Sequence, residues 1–132
     1  MEYAQSPENL IYEANPIVYQ NNSFKAISSP LGLIEGQIYT YATQYSVSYE
    51  EIYKTIECES NFNTLAVGDF GKARGISQFW ESTFDAYNEK YFNGKLEYDL
   101  PEDQVKLMAK MFSEGEEYHW SCWKHLSYSG SQ

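Results

Sequence analysis

The chain has 132 residues, the length of one domain. Its 42% hydrophobic and 21% charged content excludes a long disordered polymer, and no run approaches the roughly 18 consecutive apolar residues of a membrane span. Nineteen acidic against nine basic residues give a net charge of −10, so no basic footprint for DNA, RNA or an anionic lipid surface is present. Uncharged or zwitterionic polymers such as glycans stay open as partners.

Thirteen Tyr and three Trp are more than one small core can bury. Their flat apolar faces and polar edges suit sugar rings, peptides or protein partners. A Tyr-rich surface without a ligand is the plain alternative. The two cysteines, Cys58 and Cys122, are far apart and form no C-x-x-C motif. One bridge closing so long a loop contributes on the order of 3–4 kcal/mol and marks an oxidising compartment; two buried free thiols are the alternative. The first residues, Met1 to Pro7, carry neither a basic n-region nor an apolar h-region, so no secretory signal is read there.

Residues 1–34 hold Pro7, Pro16, Pro30 and the polar cluster Asn21-Asn22-Ser23, with no sustained period. They read as an irregular tail or linker. A domain is expected over 35–127, followed by a polar tail over 128–132. A short helix is expected over 36–45. Ser48-Tyr49-Glu50-Glu51 is a capping box that starts a second helix. On it Ile52, Ile56 and Glu59 recur at i, i+4 and i+7 and share one face. Residues 61–74, with Gly68 and Gly71, read as a loop. Ile76, Phe79, Trp80, Phe84, Tyr87 and Tyr91 then recur at helical spacing to about residue 92, and that spacing makes Trp80 a core residue. Asn93-Gly94 marks a turn. Asp99-Leu100-Pro101-Glu102 reads as a helix start with Asp99 as cap. Val105, Met108 and Phe112 supply its apolar face and Gly115 its stop. A last short helix is expected over 116–126. No strand is assigned, and the fold class is mainly α with one long functional loop.

Glu59 stands out on the residues alone. A carboxyl on an apolar face loses hydration, and the C-terminal end of a helix adds partial negative charge; both raise its pKa. A carboxyl kept protonated near neutral pH serves as a general acid. A solvated last-turn glutamate is the structural alternative.

The residues that follow carry a resemblance. Glu59-Ser60-Asn61-Phe62-Asn63-Thr64-Leu65-Ala66-Val67-Gly68 and then Gly71-Lys72-Ala73-Arg74-Gly75-Ile76-Ser77-Gln78 are similar to the pattern E-S-x-F-N-P-x-A-V-S, G-A-x-G-L-M-Q. This is the pattern of the soluble lytic transglycosylase domain, a lysozyme-like fold. The resemblance from Ile52 to Phe79 spans about a fifth of the chain. Three departures stand out. Thr64 replaces a proline, Lys72 is one extra residue between the glycine positions, and no A-Y-N-A-G element follows. Tyr118-His119-Trp120-Ser121-Cys122-Trp123 lies where that element would be.

The resemblance implies a lysozyme-like helical domain whose functional loop follows the catalytic helix. It implies cleavage of the β-1,4 bond between N-acetylmuramic acid and N-acetylglucosamine, with Glu59 as the single acid/base and 1,6-anhydromuramic ends as product. Substrate assistance by the 2-acetamido group lets one carboxylate suffice. Ser60, Gly71, Gly75 and Gln78 are then substrate-groove residues, and Trp120 is a candidate for stacking on a sugar ring. A hydrolytic lysozyme would need a second carboxylate, for which Asp69 in the motif loop is the candidate. Turn geometry is the alternative role for the two glycines and for Asp69.

The expected partner is peptidoglycan outside the cytoplasm, acted on by a monomer without a cofactor. His119, Cys122, His125 and Cys58 are zinc-type ligands, but helical spacing makes the two histidines diverge, so no metal site is assigned. A Cys–His nucleophile lacks a family signature. A Cys58–Cys122 bridge is expected instead, fastening the last helix beside the helix of Glu59. The rival from another class is a binding module that keeps the fold and loses turnover to the bulged loop. An acidic effector aimed at a protein rests on charge and Tyr content alone.

Overall fold

A computed structural model describes residues 30–130, with side chains over 32–126. The chain divides into two compact units, Met1–Gly36 and Gln37–Gln132, and the candidate site lies wholly in the second. Among the described residues are five α-helices: α1 (Pro30–Tyr45), α2 (Tyr49–Ser60), α3 (Glu81–Phe92), α4 (Pro101–Ser113) and α5 (Ser121–Gly130). Between α2 and α3 lie three two-residue strands, β1 (Val67–Gly68), β2 (Ala73–Arg74) and β3 (Phe79–Trp80). The fold is mainly α, as the sequence indicates.

Local chemistry explains most boundaries. Ser48 caps α2 in extended geometry, its hydroxyl accepting from the Glu51 amide at 3.1 Å. Only that half of the capping box forms, because the Glu51 carboxylate instead accepts from the Trp123 indole at 3.2 Å. Asn61 ends α2 in the left-handed region at φ 50°, and Asn93 ends α3 the same way at φ 54°. Pro101 stands in the first turn of α4, where its missing N–H costs nothing. Gly115, at φ 77°, follows the end of that helix.

Helix α4 is the centre of the core. Val105, Leu107, Met108, Ala109, Met111 and Phe112 are all buried, so it is wrapped on most sides by the other elements. Ile38 and Ala42 of α1, Ile52 and Ile56 of α2 and Phe84 of α3 are buried too.

Several expected boundaries move. Helix α1 starts at Pro30 rather than residue 36, so residues 30–34 are helical. Residues 1–29 of the expected tail lie outside the described residues. The segment read as a functional loop and helix start contains the antiparallel sheet β1-β2-β3, with Val67 opposite Arg74 and Ala73 opposite Trp80. Ile76 and Phe79 are core residues as their spacing suggests, but they precede α3, which begins at Glu81. Positive φ at Gly75 (86°) and Gln78 (54°) breaks any helix there. Asp99 is not the cap of α4; Leu100 holds that position without a side-chain bond, and the Asp103 carboxylate accepts from the Glu97 amide. The last helix is split into a 3₁₀ turn (Glu117–His119) and α5, which runs on to Gly130.

Candidate active site

Glu59 sits in the last turn of α2, one residue before its end. Ile52 and Ile56, earlier on the same face, are fully buried and anchor that face to the core. The Glu59 carboxylate accepts one hydrogen bond, from the Cys122 backbone amide at 3.3 Å. Burial raises its pKa above the ordinary carboxylate value; the amide bond opposes the shift and the negative charge of Asp69 adds to it. Among the described residues no cation contributes to this shift. The group is therefore disposed to hold a proton, which a general acid requires.

The amide that touches Glu59 is placed by a covalent link. Cys58 and Cys122 form a disulfide with Cα atoms 5.9 Å apart, across a sequence separation of 64. It ties α2 to the first turn of α5, one residue from the candidate acid. Both cysteines are thus unavailable as metal ligands or nucleophiles. The His119 imidazole is engaged at Nε2 by the Tyr87 hydroxyl, at 3.0 Å.

Ser60 faces inward. Its buried hydroxyl donates to the Ile76 carbonyl at 2.7 Å, with the Ile56 carbonyl at 3.2 Å. It joins the end of α2 to the segment leaving the loop. Gln78 acts similarly. Its side-chain amide donates to the carbonyls of Ala66 (3.1 Å) and Gly75 (2.9 Å), pinning both legs of the loop.

The two candidate glycines differ. Gly75 combines a positive φ with close packing: a Cβ there would lie 2.5 Å from the Gln104 side-chain amide. Gly71, at φ 95°, has no atom within 4 Å of such a Cβ, so only its backbone conformation demands glycine. It closes a run of three residues with positive φ, Asp69, Phe70 and Gly71, at the loop tip. The extra residue Lys72 follows directly.

Asp69, the candidate second carboxylate, is exposed and accepts a hydrogen bond from the Trp80 indole at 2.9 Å. Its negative charge adds to the upward shift of the Glu59 pKa. Trp80 is no core residue, contrary to its helical spacing: it is 42% exposed. Trp120 is the reverse. It is 4% exposed, donates to the Ser77 carbonyl at 2.8 Å and packs edge-on against Phe79 at 5.3 Å. A ring so enclosed offers no face for stacking on a sugar.

Two supporting residues escape a reading of the sequence. Gln104 is buried on α4 and bonds three separated groups. Its oxygen accepts from the Ser77 amide at 3.0 Å, and its nitrogen donates to the Tyr98 (2.9 Å) and Arg74 (3.2 Å) carbonyls. Tyr98 donates its hydroxyl to the Phe79 carbonyl. The one signal for Gln104 is a polar residue beside Val105 in an otherwise apolar helix face. Tyr98 gives none.

A half-buried acid at a helix end, a disulfide-anchored amide against it and a glycine loop pinned by glutamine amides form one unit. The model of the transglycosylase SLT domain matches residues 37–126, which takes in every residue of that unit. No curated protein and no solved structure matches the chain. With the match covering more than half of its length, the chain belongs to the transglycosylase SLT domain family, a family of peptidoglycan-cleaving enzymes.

Proposed function

We propose that this protein cleaves the β-1,4 bond between N-acetylmuramic acid and N-acetylglucosamine, with Glu59 as the single acid and base. The observation that carries this reading is the state of Glu59: its pKa is raised by burial and it is steadied by one amide, with no neutralising cation among the described residues. Protonated Glu59 gives its proton to the bridging oxygen as the glycosidic bond breaks. The positive charge left on the muramic ring is met by the substrate's own 2-acetamido group. Glu59, now ionised, takes the proton of the muramic C6 hydroxyl. That oxygen closes on C1, and the carboxyl is returned protonated. No water is consumed.

Hydrolysis is the second reading. Asp69 would then hold the water, and its electrostatic reach to Glu59 favours this. One of its carboxylate oxygens is already bonded to the Trp80 indole, which favours transglycosylation. Action outside the cytoplasm fits the disulfide and the substrate.

The test is mass spectrometry of soluble products from purified peptidoglycan, with wild type and Glu59→Gln in parallel. Anhydromuramic ends, absent with the variant, are expected. The variant loses on the order of 10²–10⁴-fold in rate, the contribution of a general acid. Reducing ends would make the protein a hydrolase and assign Asp69 a role. No product from wild type on several wall types would leave a binding module.

A further inference from the structure

The N–H of Cys122 belongs to the first turn of α5, so it has no acceptor inside that helix and is free to donate outward. It donates to Glu59, with the Cys122 nitrogen 3.3 Å from the carboxylate oxygen. The partial positive charge of a helix N-terminus reinforces it. Such a bond is modest while Glu59 is protonated and stronger once the proton has gone to the glycosidic oxygen. It therefore stabilises the state that the first step creates more than the state it starts from, which is the condition for raising kcat. The opposition of this amide to the upward pKa shift of Glu59 is the same preference seen at equilibrium.

Little else holds α5 in that position. From Ser121 to Leu126 none of its side chains is buried. Besides the Cys122 amide, its bonds to α2 among the described residues are the disulfide and the one from the Trp123 indole to the exposed Glu51 carboxylate, at 3.2 Å. The core lies around α4, and Trp120, directly before α5, is its last member among the described residues. Opening the disulfide thus frees the chain beyond Trp120 and leaves the core in place. The bond is also open to attack: Cys58 is exposed and Cys122 half-buried, and access of this kind is what an incoming thiolate needs.

We infer that Cys122 is a positioning residue for Glu59 and that its bond to Cys58 is a redox latch. Reduction frees α5, withdraws the Cys122 amide from Glu59 and switches the acid off while the core stays folded. A dithiol supplies the two electrons and two protons. One of its thiolates attacks a sulfur of the bridge, its second thiol closes the reductant's own disulfide, and Cys58 and Cys122 are left as free thiols. The latch confines turnover to oxidising surroundings. The catalytic half of the inference rests on the reading of Glu59 above; the latch itself is measured without turnover.

The experiment compares the full chain oxidised, reduced with excess dithiothreitol, and reoxidised after the reductant is removed. Hydrogen exchange read by NMR follows the Cys122 amide and the amides of Leu107 and Met108 in the buried helix α4. On reduction Cys122 is expected to lose its protection while α4 keeps its own. On solubilised glycan strands kcat falls about 10- to 100-fold, the scale of one hydrogen bond to a charged group, with KM nearly unchanged, and it returns on reoxidation. Cys58→Ala/Cys122→Ala matches the reduced wild type and does not respond to the reductant. Undiminished turnover in the reduced chain, loss of protection in α4 together with Cys122, or a fall that reoxidation does not reverse overturns the inference. Should the oxidised protein release no product while reduction still frees the Cys122 amide selectively, the catalytic reading fails and the latch stands.

Discussion

The end of α2 and the loop of three short strands meet in one site but are held in different ways. The first rests on buried Ile52 and Ile56, a disulfide and a serine bonded into the neighbouring segment. The second has three consecutive residues at positive φ, a fully exposed Phe70 and a half-exposed Trp80, and hangs on hydrogen bonds from Gln78 and Gln104. The difference is functional. A proton donor must keep its geometry through the reaction, and rigid packing does that. A wall that meets a polymer needs exposed faces and tolerates some movement.

The comparison breaks most visibly if the covalent link goes. Replacing both cysteines by serine is expected to cost about 3–4 kcal/mol in stability, the scale of a bridge closing a loop of this length. Urea unfolding of the variant, and of wild type with and without reductant, measures it. Turnover on peptidoglycan falls as well, because the Cys122 amide no longer steadies Glu59.

On the loop side the largest effect belongs to Gln104→Ala. It leaves the Ser77 amide and two carbonyls without their partner. A loss of about 2–3 kcal/mol is expected by chemical denaturation. The Cys122 amide, placed by the disulfide rather than by Gln104, is expected to keep its protection from hydrogen exchange in this variant.

A third outcome sharpens the account of Glu59. Burial makes the folded chain hold the Glu59 proton to higher pH than the unfolded chain does. The stabilising contribution is present below the ordinary carboxylate pKa and is lost as pH rises through the raised value. Glu59→Gln removes the titration and keeps an acceptor for the Cys122 amide. The variant should therefore be more stable than wild type at neutral pH, and the gain should vanish in acid. Thermal melts across pH test this, and a gain that stays constant with pH would refute it. The same shift means that activity declines on the alkaline side, as the acid loses its proton.

The smallest expected effect concerns Ser77, whose fully buried hydroxyl has no hydrogen-bond partner among the described residues. Ser77→Ala removes an unsatisfied group, so stability should be unchanged or higher, within about 0.5 kcal/mol. A loss above about 1 kcal/mol would show that the hydroxyl is bonded, and that this junction between loop and core is tighter than its partners indicate.

The sequence by itself determined the helical class, the Ser48 cap, the apolar face that carries Glu59 and the motif that names the family. These are matters of period and local spacing, which a linear chain displays. It also singled out Cys58 and Cys122 as a pair, though only the fold brings them within bonding distance. Tertiary structure alone decided the two tryptophans. Trp80 sits on the helical period yet lies in a strand and faces out, while Trp120 is sealed against Phe79 and Phe112. Period assigns a residue to a face only within one regular element, and the positive φ values at Gly75 and Gln78 end that regularity. The roles of Gln104 and Tyr98 were likewise out of reach. Their partners lie across turns and between elements, and hydrogen bonds of that kind leave no trace in spacing.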